Sequence, residues 1–401
     1  MRKILSIIFF FIASGFIPVF SQLHDSIEVF LITCFPGREI ETIYGHSAIR
    51  IVNHSINYDS VYNWGVFYFK TPNFAWKFAK GRLKYQVDSD TYDRFLQVYF
   101  FEQRSVISQK INLNSTEKSI IINLINKNLL PDNRFYLYDF FYDNCATRIR
   151  DLIEKTVGIN LVYPVDTNIE NPTFREMINK AQLPMPWLTF ATDLLIGKPG
   201  DKKAEFRDQM FLPEDLMKNL SLAMINGKNK GIPLLQEPVS ILSFENRVTK
   251  NTQLLTPIYL FAILLIIIIV ISIRLHNYKV SLWLDRSLFF IFSILAIFMI
   301  FFNFITDHAA TKMNLNIIWL NPFLVVALIF LFTQNKGTIW FKIITLTSFG
   351  FLISLIIIPQ SINFAFVPLI LILLIRSILR SNLTIIKLRT ETSKNLKKFW
   401  R

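Results

Sequence analysis

Apolar and polar positions follow two different regimes along the chain. From about residue 22 to 250 they mix, with alternating runs such as Ala48 to Val52 that predict strands, and with apolar residues spaced three and four apart after Asn144 that predict a helix. From residue 254 the chain becomes apolar in long blocks, roughly 254–275, 287–305, 317–333, 339–358 and 362–381. Each block is near the ~20 residues that a helix needs to cross a bilayer. A shorter apolar run, "ILSIIFFFIASGFIPVF", follows Arg2 and Lys3 and ends near the small residues Val19 and Ser21. That is the pattern of an export signal, with an uncleaved anchor helix as the alternative.

The expected organisation is therefore an export signal or anchor over 1–21, an exported domain over 22–250, a membrane domain of five helices over 254–381, and a basic tail over 382–401. Composition agrees, since 52% of the residues are hydrophobic and Gly is sparse at 12 residues.

Charge sharpens the topology. Lys and Arg number 27 against 26 Asp and Glu over residues 22–253, but 14 against 3 over residues 254–401. With the exported domain outside, Lys279, Arg286, Lys336, Lys342 and the tail "KLRTETSKNLKKFWR" fall on the inner side, and the outer segments "TDHAATKMNLN" and "PQSIN" carry only Lys312. This is the positive-inside distribution, so the basic balance marks membrane topology and no nucleic-acid partner is expected.

Two cysteines, Cys34 and Cys145, fall in the exported, oxidising part, where one disulfide between them is the plain structural alternative. The surroundings of Cys145 point elsewhere. Asp143 or Asn144 can cap the helix "CATRIRDLIEK", which puts the thiol in its first turn, where free backbone N–H groups and the positive end of the helix dipole favour thiolate; Arg148 adds positive charge. Upstream, Gly45 and His46 open a strand-like run. A strand histidine and a helix-start cysteine are the core of papain-like catalysis, the imidazole first taking the thiol proton and then protonating the leaving group. A third group would orient the ring, with Tyr44, His54, Asn63 and Asp143 as candidates. The backbone N–H of Cys145 is the natural oxyanion donor, and Asn144, Asp143 and Tyr44 are candidates for an orienting or oxyanion role.

The histidine precedes the cysteine, which resembles circularly permuted NlpC-type hydrolases and the lecithin-retinol acyltransferase group. The expected fold is thus α+β, a permuted papain-like exported domain followed by an all-α five-helix membrane domain. A longer resemblance covers nearly the whole chain. "LITCFPGREIETIYGHSAIR", "VYNWGVFYFKTPNFAWKFAKGRLKY", "YDFFYDNCATRIRDLIE" and "MFLPEDL" resemble the exported domain of the Lnb family of lipoprotein N-acyltransferases, and "TDHAATKMNLNIIWLNP" is similar to its membrane domain.

This resemblance implies a multi-pass enzyme of the bacterial inner membrane with its catalytic domain in the periplasm. It implies a membrane phospholipid as acyl donor, a diacylglyceryl-cysteine lipoprotein as acceptor, Cys145 as acyl carrier, His46 as acid and base, and no cofactor or metal. Other readings are a cell-wall peptidase or amidase of NlpC type, a membrane-anchored thiol phospholipase, and a non-catalytic membrane module.

Arg148, Asp307, His308 and Asn316 are candidates for substrate contact, the last three because polar and ionisable groups beside a membrane span are functional candidates. Arg148 and Arg150 also have carboxylates in reach, Asp151 and Glu154. The aromatic run Trp64, Phe67, Phe69, Phe74, Trp76, Phe78 reads first as a sheet and helix core and second as a surface against lipid. Neither metal-ligand spacing nor a phosphate loop occurs.

Overall fold

The computed structural model describes residues 26–164, 171–226, 231–245, 255–274, 278–333 and 337–381; the expected export signal and basic tail lie outside them. Two compact units emerge. One runs to Pro172 and resumes at Ala204–Thr249, and the other joins Thr173–Lys203 to the chain from Lys250 onward.

The first unit is built on strands β1 (Ile27–Cys34), β2 (His46–Asn53), β3 (Tyr58–Val66), β4 (Lys84–Thr91), β5 (Val106–Lys110), β6 (Phe135–Leu137), β7 (Leu161–Val162), β8 (Met224–Ile225), β9 (Ile232–Pro233) and β10 (Val239–Leu242). Seven of them form one sheet in the order β10-β5-β1-β2-β3-β4-β6, and β7-β8-β9 form a small second sheet. Neighbours in the large sheet run antiparallel, so each strand is an alternating ribbon with two different faces.

Alternation places Ile49 and Ile51 of β2, with Tyr62 and Trp64 of β3, against the helix Cys145–Val157 through its buried Ala146, Ile149, Leu152 and Ile153. The three- and four-residue spacing of those positions is why this stretch is helical and why one face of it is buried. On the other face, Ala48, Val61, Ile32 and Cys34 pack with Tyr92, Phe95 and Tyr99 of the helix Tyr92–Phe101. The Cys145 helix is thus clamped on the sheet by its flank, and its first turn is left at the end where β2 begins.

The second unit is helical. Its helices Pro257–Arg274, Tyr278–Ile305 and Leu315–Thr333 are long and apolar enough to cross a membrane. The remaining two expected blocks form shorter helices, Thr338–Ser354 of 17 residues and Phe366–Ser381 of 16 residues. Apolar residues on every side of Pro257–Arg274, only two of them buried, mark a helix whose solvent is lipid. Charges occur inside as matched groups: Asp285, fully buried, receives Arg376 Nε at 2.6 Å and also binds Arg380.

A second buried cluster explains why Thr173–Lys203 joins this unit. Arg175 donates to Asp201 (2.9 and 3.0 Å), to Asp193 (3.1 Å) and to the carbonyls of Ile196 and Gly197. Asp193 also accepts from Asn363 (2.9 Å), and Asn314 donates to the carbonyls of Leu194 and Leu195 (2.8 and 3.0 Å). At Gly197 a Cβ would stand 2.0 Å from the Lys312 carbonyl, so only glycine permits this approach.

Candidate active site

Asn144 is the N-cap of the Cys145 helix. Its side-chain oxygen accepts the N–H groups of Ala146 (2.9 Å) and Thr147 (3.0 Å), while Thr147 Oγ1 accepts the Asn144 N–H (2.7 Å), a reciprocal capping box. The amide nitrogen donates to the carbonyls of Phe140 (2.8 Å) and Phe211 (2.9 Å). With all these bonds made, Asn144 positions the helix start and is not the group that orients a histidine. The cap takes the N–H groups of residues 146 and 147 and leaves that of Cys145 for other use.

His46 reaches this helix start from the first residue of β2, opposite Cys34 of β1. Gly45 makes the entry: its φ is +77°, and a Cβ there would lie 2.6 Å from the Cys34 carbonyl. His46 Nε2 is 3.1 Å from Asn63 Oδ1. Asn63 sits on β3 opposite Ala48, the diagonal neighbour of His46 on the same face of the sheet. An amide oxygen can only accept, so Nε2 carries the proton and Nδ1 is left for the hydrogen bond with Cys145.

Burial opposes charge on both groups, yet each stabilises the charged form of the other. The Cys145 thiol lies below the ordinary thiol range because His46 stands beside it and the backbone N–H groups of Ser47 and Ala146 point at the sulfur. The His46 imidazole is raised by the thiolate and by the Asn63 bond. The arrangement favours the thiolate–imidazolium form of the pair, and both residues are only half-buried.

Cys34 is chemically the opposite. It is wholly buried, and burial pushes its thiol up to about 12. Both cysteines are free, so the disulfide alternative is set aside.

Among the other sequence candidates, Asp143 is engaged by Arg148 through two bonds of 2.5 and 2.8 Å. The Arg148 guanidinium also lies 3.5 Å from the centroid of the Tyr136 ring. Arg148 is therefore held from two sides within the protein, and its first role is to brace the Asp143 loop. Arg150 bonds Asp151 and the Arg207 carbonyl, and His54 pairs with Glu28 at 3.2 Å. The Tyr44 ring packs edge-on against Phe140, with centroids 4.9 Å apart.

Three neighbours of Cys145 escaped the sequence reading. Gly65, with φ of +93°, occupies a bulge in the β3–β4 pairing, and a Cβ on it would lie 4.0 Å from Cys145 Cβ, 3.9 Å from the Tyr138 ring and 4.0 Å from the Tyr136 hydroxyl. Tyr136 is buried; its O–H finds no acceptor among the described residues, and the backbone N–H of Gly65 lies against its oxygen. Burial raises the phenols of Tyr136 and Tyr138 far above the ordinary value, which keeps both as O–H groups at neutral pH. The one sequence signal was the lone glycine inside a strand pattern, which marks a bulge or a close approach.

The membrane-side candidates lie in the second unit. Asp307 is exposed, and the half-buried His308 ring faces Phe302 at 6.2 Å. Asn316 is fully buried; its side-chain oxygen accepts Trp319 Nε1 (3.0 Å), and its N–H binds Asn314 (3.0 Å), so it belongs to the frame of this unit. Among the described residues no group of three or more His, Cys, Asp or Glu is placed to hold a metal ion.

The aromatic run is not the core that was first expected. Trp64 is buried at 2% exposure, but Phe69, Trp76 and Phe78 are exposed at 75%, 57% and 52%, and the helix Phe74–Lys80 has no buried residue.

Comparison with known families gives two matches. Residues 23–176 match the model described as the Lnb N-terminal periplasmic domain, and residues 249–388 match the one described as the Lnb transmembrane domain. No curated protein and no solved structure matches the chain.

Proposed function

The chain belongs to the Lnb family, and from that premise we propose that it is a lipoprotein N-acyltransferase of the bacterial inner membrane. Its donor is a membrane phospholipid, and its acceptor is the α-amine of a diacylglyceryl-cysteine lipoprotein. The observation that carries this reading is the Cys145–His46 pair, held by Asn63 and built into the region that matches a periplasmic domain.

Two finer points of architecture belong to the same reading. The first unit is a circularly permuted papain-like domain, supported by an upstream strand histidine and a helix-start cysteine on an antiparallel sheet. The second unit spans the membrane five times, supported by the five α-helices among the described residues after 256 and by the Lys and Arg distribution.

In the first half-reaction the Cys145 thiolate attacks the carbonyl carbon of a phospholipid ester. The C–S bond forms, the ester C–O bond breaks, and the His46 proton passes to the departing alkoxide, leaving a lysophospholipid and a thioester on Cys145. In the second, the neutral amine attacks the thioester carbon and gives its proton to His46. The C–N bond forms, the C–S bond breaks, and thiolate and imidazolium are restored. Ester to thioester is nearly balanced, and thioester to amide is downhill, so one slow exchange is divided into two easier steps.

Both tetrahedral intermediates carry an oxyanion. Its donors in this reading are the Cys145 N–H, which the Asn144 cap leaves out, and the Tyr136 hydroxyl, a buried group whose O–H finds no acceptor among the described residues. The Arg148 guanidinium stacked on the Tyr136 ring makes that phenol a stronger donor.

The test is intact mass spectrometry of the full chain after incubation with phospholipid vesicles, followed by addition of a diacylated lipopeptide. A hydroxylamine-labile acyl adduct on Cys145 that moves to the peptide amine is the expected result. An adduct that decays to free fatty acid with the peptide present would make the enzyme a phospholipase instead. Cleavage of peptidoglycan fragments without any acyl adduct would make it a peptidase.

A further inference from the structure

The residues linking β3 to β4 combine two unusual features. Between Phe67 and Tyr85 the chain carries five cations, Lys70, Lys77, Lys80, Arg82 and Lys84, and no Asp or Glu, although the exported region as a whole is nearly neutral. The same stretch exposes Tyr68, Phe69, Trp76 and Phe78, each by more than half. Its seven-residue helix Phe74–Lys80 is bounded by left-handed residues at Asn73 and Gly81 and buries none of its side chains. A helix this short draws little stability from propensity in water, so its apolar face asks for an apolar phase.

The exposed rings do not stand alone. Phe78 stacks on Phe74 (6.1 Å between centroids), and Phe69 packs on Phe74 (5.1 Å). Phe74 stacks on Phe67 (5.8 Å), Phe67 meets Tyr85 edge-on (5.2 Å), and Tyr85 lies on Tyr138 (4.7 Å). Tyr138 and Cys145 flank the same Gly65 position, at 3.9 and 4.0 Å from where its Cβ would be. Phe67, Phe74, Tyr85 and Tyr138 are each half-buried, so the ring series keeps an open side along its length.

We infer that this surface is where the periplasmic unit meets lipid. Phe69, Trp76 and Phe78 enter the headgroup layer of an anionic bilayer, Lys70, Lys77 and Lys80 pair with lipid phosphates around them, and the series Phe74, Phe67, Tyr85, Tyr138 bears the donor acyl chain from the bilayer to the Cys145 sulfur. The inference rests on the proposed use of a phospholipid donor and names the surface that receives it.

Aromatic side chains and lysines together are the chemistry of a membrane interface: the rings sit at headgroup depth, and the lysine stems extend through apolar surroundings to reach phosphate. Lys80 Nζ already lies 5.6 Å from the Trp76 ring centroid, so charge and ring are presented together. The length also suits an acyl chain. A chain in one leaflet spans about half of the ~30 Å hydrocarbon core, comparable with the three ring-to-ring steps from Phe74 to Tyr138.

The test uses the full chain carrying Cys145→Ala, so that no acyl transfer occurs, with and without Trp76→Phe, in vesicles of phosphatidylethanolamine and phosphatidylglycerol. Acyl chains brominated near the headgroup should quench a fluorescence component that Trp76→Phe removes. That component should shrink when phosphatidylglycerol is left out. Equal quenching of the two proteins would overturn the docking surface.

In the same vesicles, a phospholipid with a diazirine on its acyl chain should crosslink to residues 67–85 and to Tyr138. Labelling confined to the spans, or labelling of this stretch by a diazirine lipopeptide and not by the phospholipid, would overturn the acyl track. Because these readouts do not require turnover, their failure is separable from failure of the thioester reading, which the Cys145 adduct reports.

Discussion

His46 Nε2 stands 3.1 Å from Asn63 Oδ1 across the β2–β3 hairpin, and this one contact decides which face of the imidazole meets Cys145. An acceptor on Nε2 holds the proton there and turns Nδ1 to the thiol, so the pair is oriented before any substrate arrives. Asn63 is a positioning residue in this scheme. Its removal acts through His46 and not through substrate contact.

Asn63→Ala is therefore expected to lower kcat for Cys145 acylation on the order of 10²-fold with little change in KM. The pH profile separates this from simple loss of structure. Acylation by the wild type should rise through an acid limb below the ordinary thiol value, where the thiolate forms, and fall through an alkaline limb above the ordinary imidazole value, where the imidazolium loses its proton. The Asn63 bond raises His46, so Asn63→Ala should move the alkaline limb to lower pH and Asn63→Asp should move it higher. An unshifted limb in both variants would remove Asn63 from the mechanism.

Cys145→Ala should abolish the hydroxylamine-labile adduct and reduce acyl transfer by at least about a thousandfold, with the thermal transition of the protein nearly unchanged. Cys34→Ala is expected to retain the adduct, because Cys34 is buried and its thiol is held protonated. Adduct formation at Cys34 in the Cys145→Ala protein would contradict this assignment.

Tyr136→Phe deletes one hydroxyl and keeps the ring under Arg148. If that hydroxyl meets the oxyanion, kcat should drop by roughly 10² to 10³-fold. Thermal stability should change little, since the buried O–H that is lost has no acceptor among the described residues and only the Gly65 N–H gives up an oxygen. Unchanged turnover would leave the Cys145 N–H to act with some other donor.

Asn144→Ala removes the acceptor for two helix N–H groups and leaves the carbonyls of Phe140 and Phe211 without its amide. The expected loss is about 2 kcal/mol of stability, read as a lower unfolding temperature. A drop in acylation rate should accompany it, because the helix start carries the thiol. Loss of rate with an unchanged unfolding temperature would give Asn144 a direct chemical role instead.

In the second unit, Arg175→Ala would strand Asp193 and Asp201 in a buried site and should destabilise the protein by about 3 to 5 kcal/mol. Thermal unfolding in detergent micelles measures it, and adding Asp201→Asn should restore part of the loss. No restoration would mean that the arginine is held mainly by the carbonyls of Ile196 and Gly197.

Much of this protein was legible in the chain itself. Hydropathy and the Lys and Arg distribution separated a mixed region from an apolar one, because those signals depend on each residue's own transfer energy and need no partner. Helix periodicity after Asn144 and alternation from His46 placed the thiol at a helix start and the imidazole at a strand start, since both patterns are local consequences of backbone geometry.

What surrounds the pair was decided by tertiary structure. Four residues could have oriented His46 by chemistry alone, and the choice of Asn63 followed from the register of the β2–β3 hairpin, a pairing between positions 17 residues apart. The same holds for Tyr136 and Tyr138, which meet Cys145 around Gly65, at the irregularity in the β3–β4 pairing. The segment Thr173–Lys203 reads as part of the mixed exported region, yet it joins the helical unit because Arg175 finds Asp193 and Asp201 within its own segment while Asn314 and Asn363 bind that segment from far along the chain. The aromatic run gave the wrong first expectation for a related reason. Apolar residues prefer to leave water, but the sequence does not say whether they leave it for the protein's own core or for another phase, and only the fold shows that Phe69, Trp76 and Phe78 remain outside.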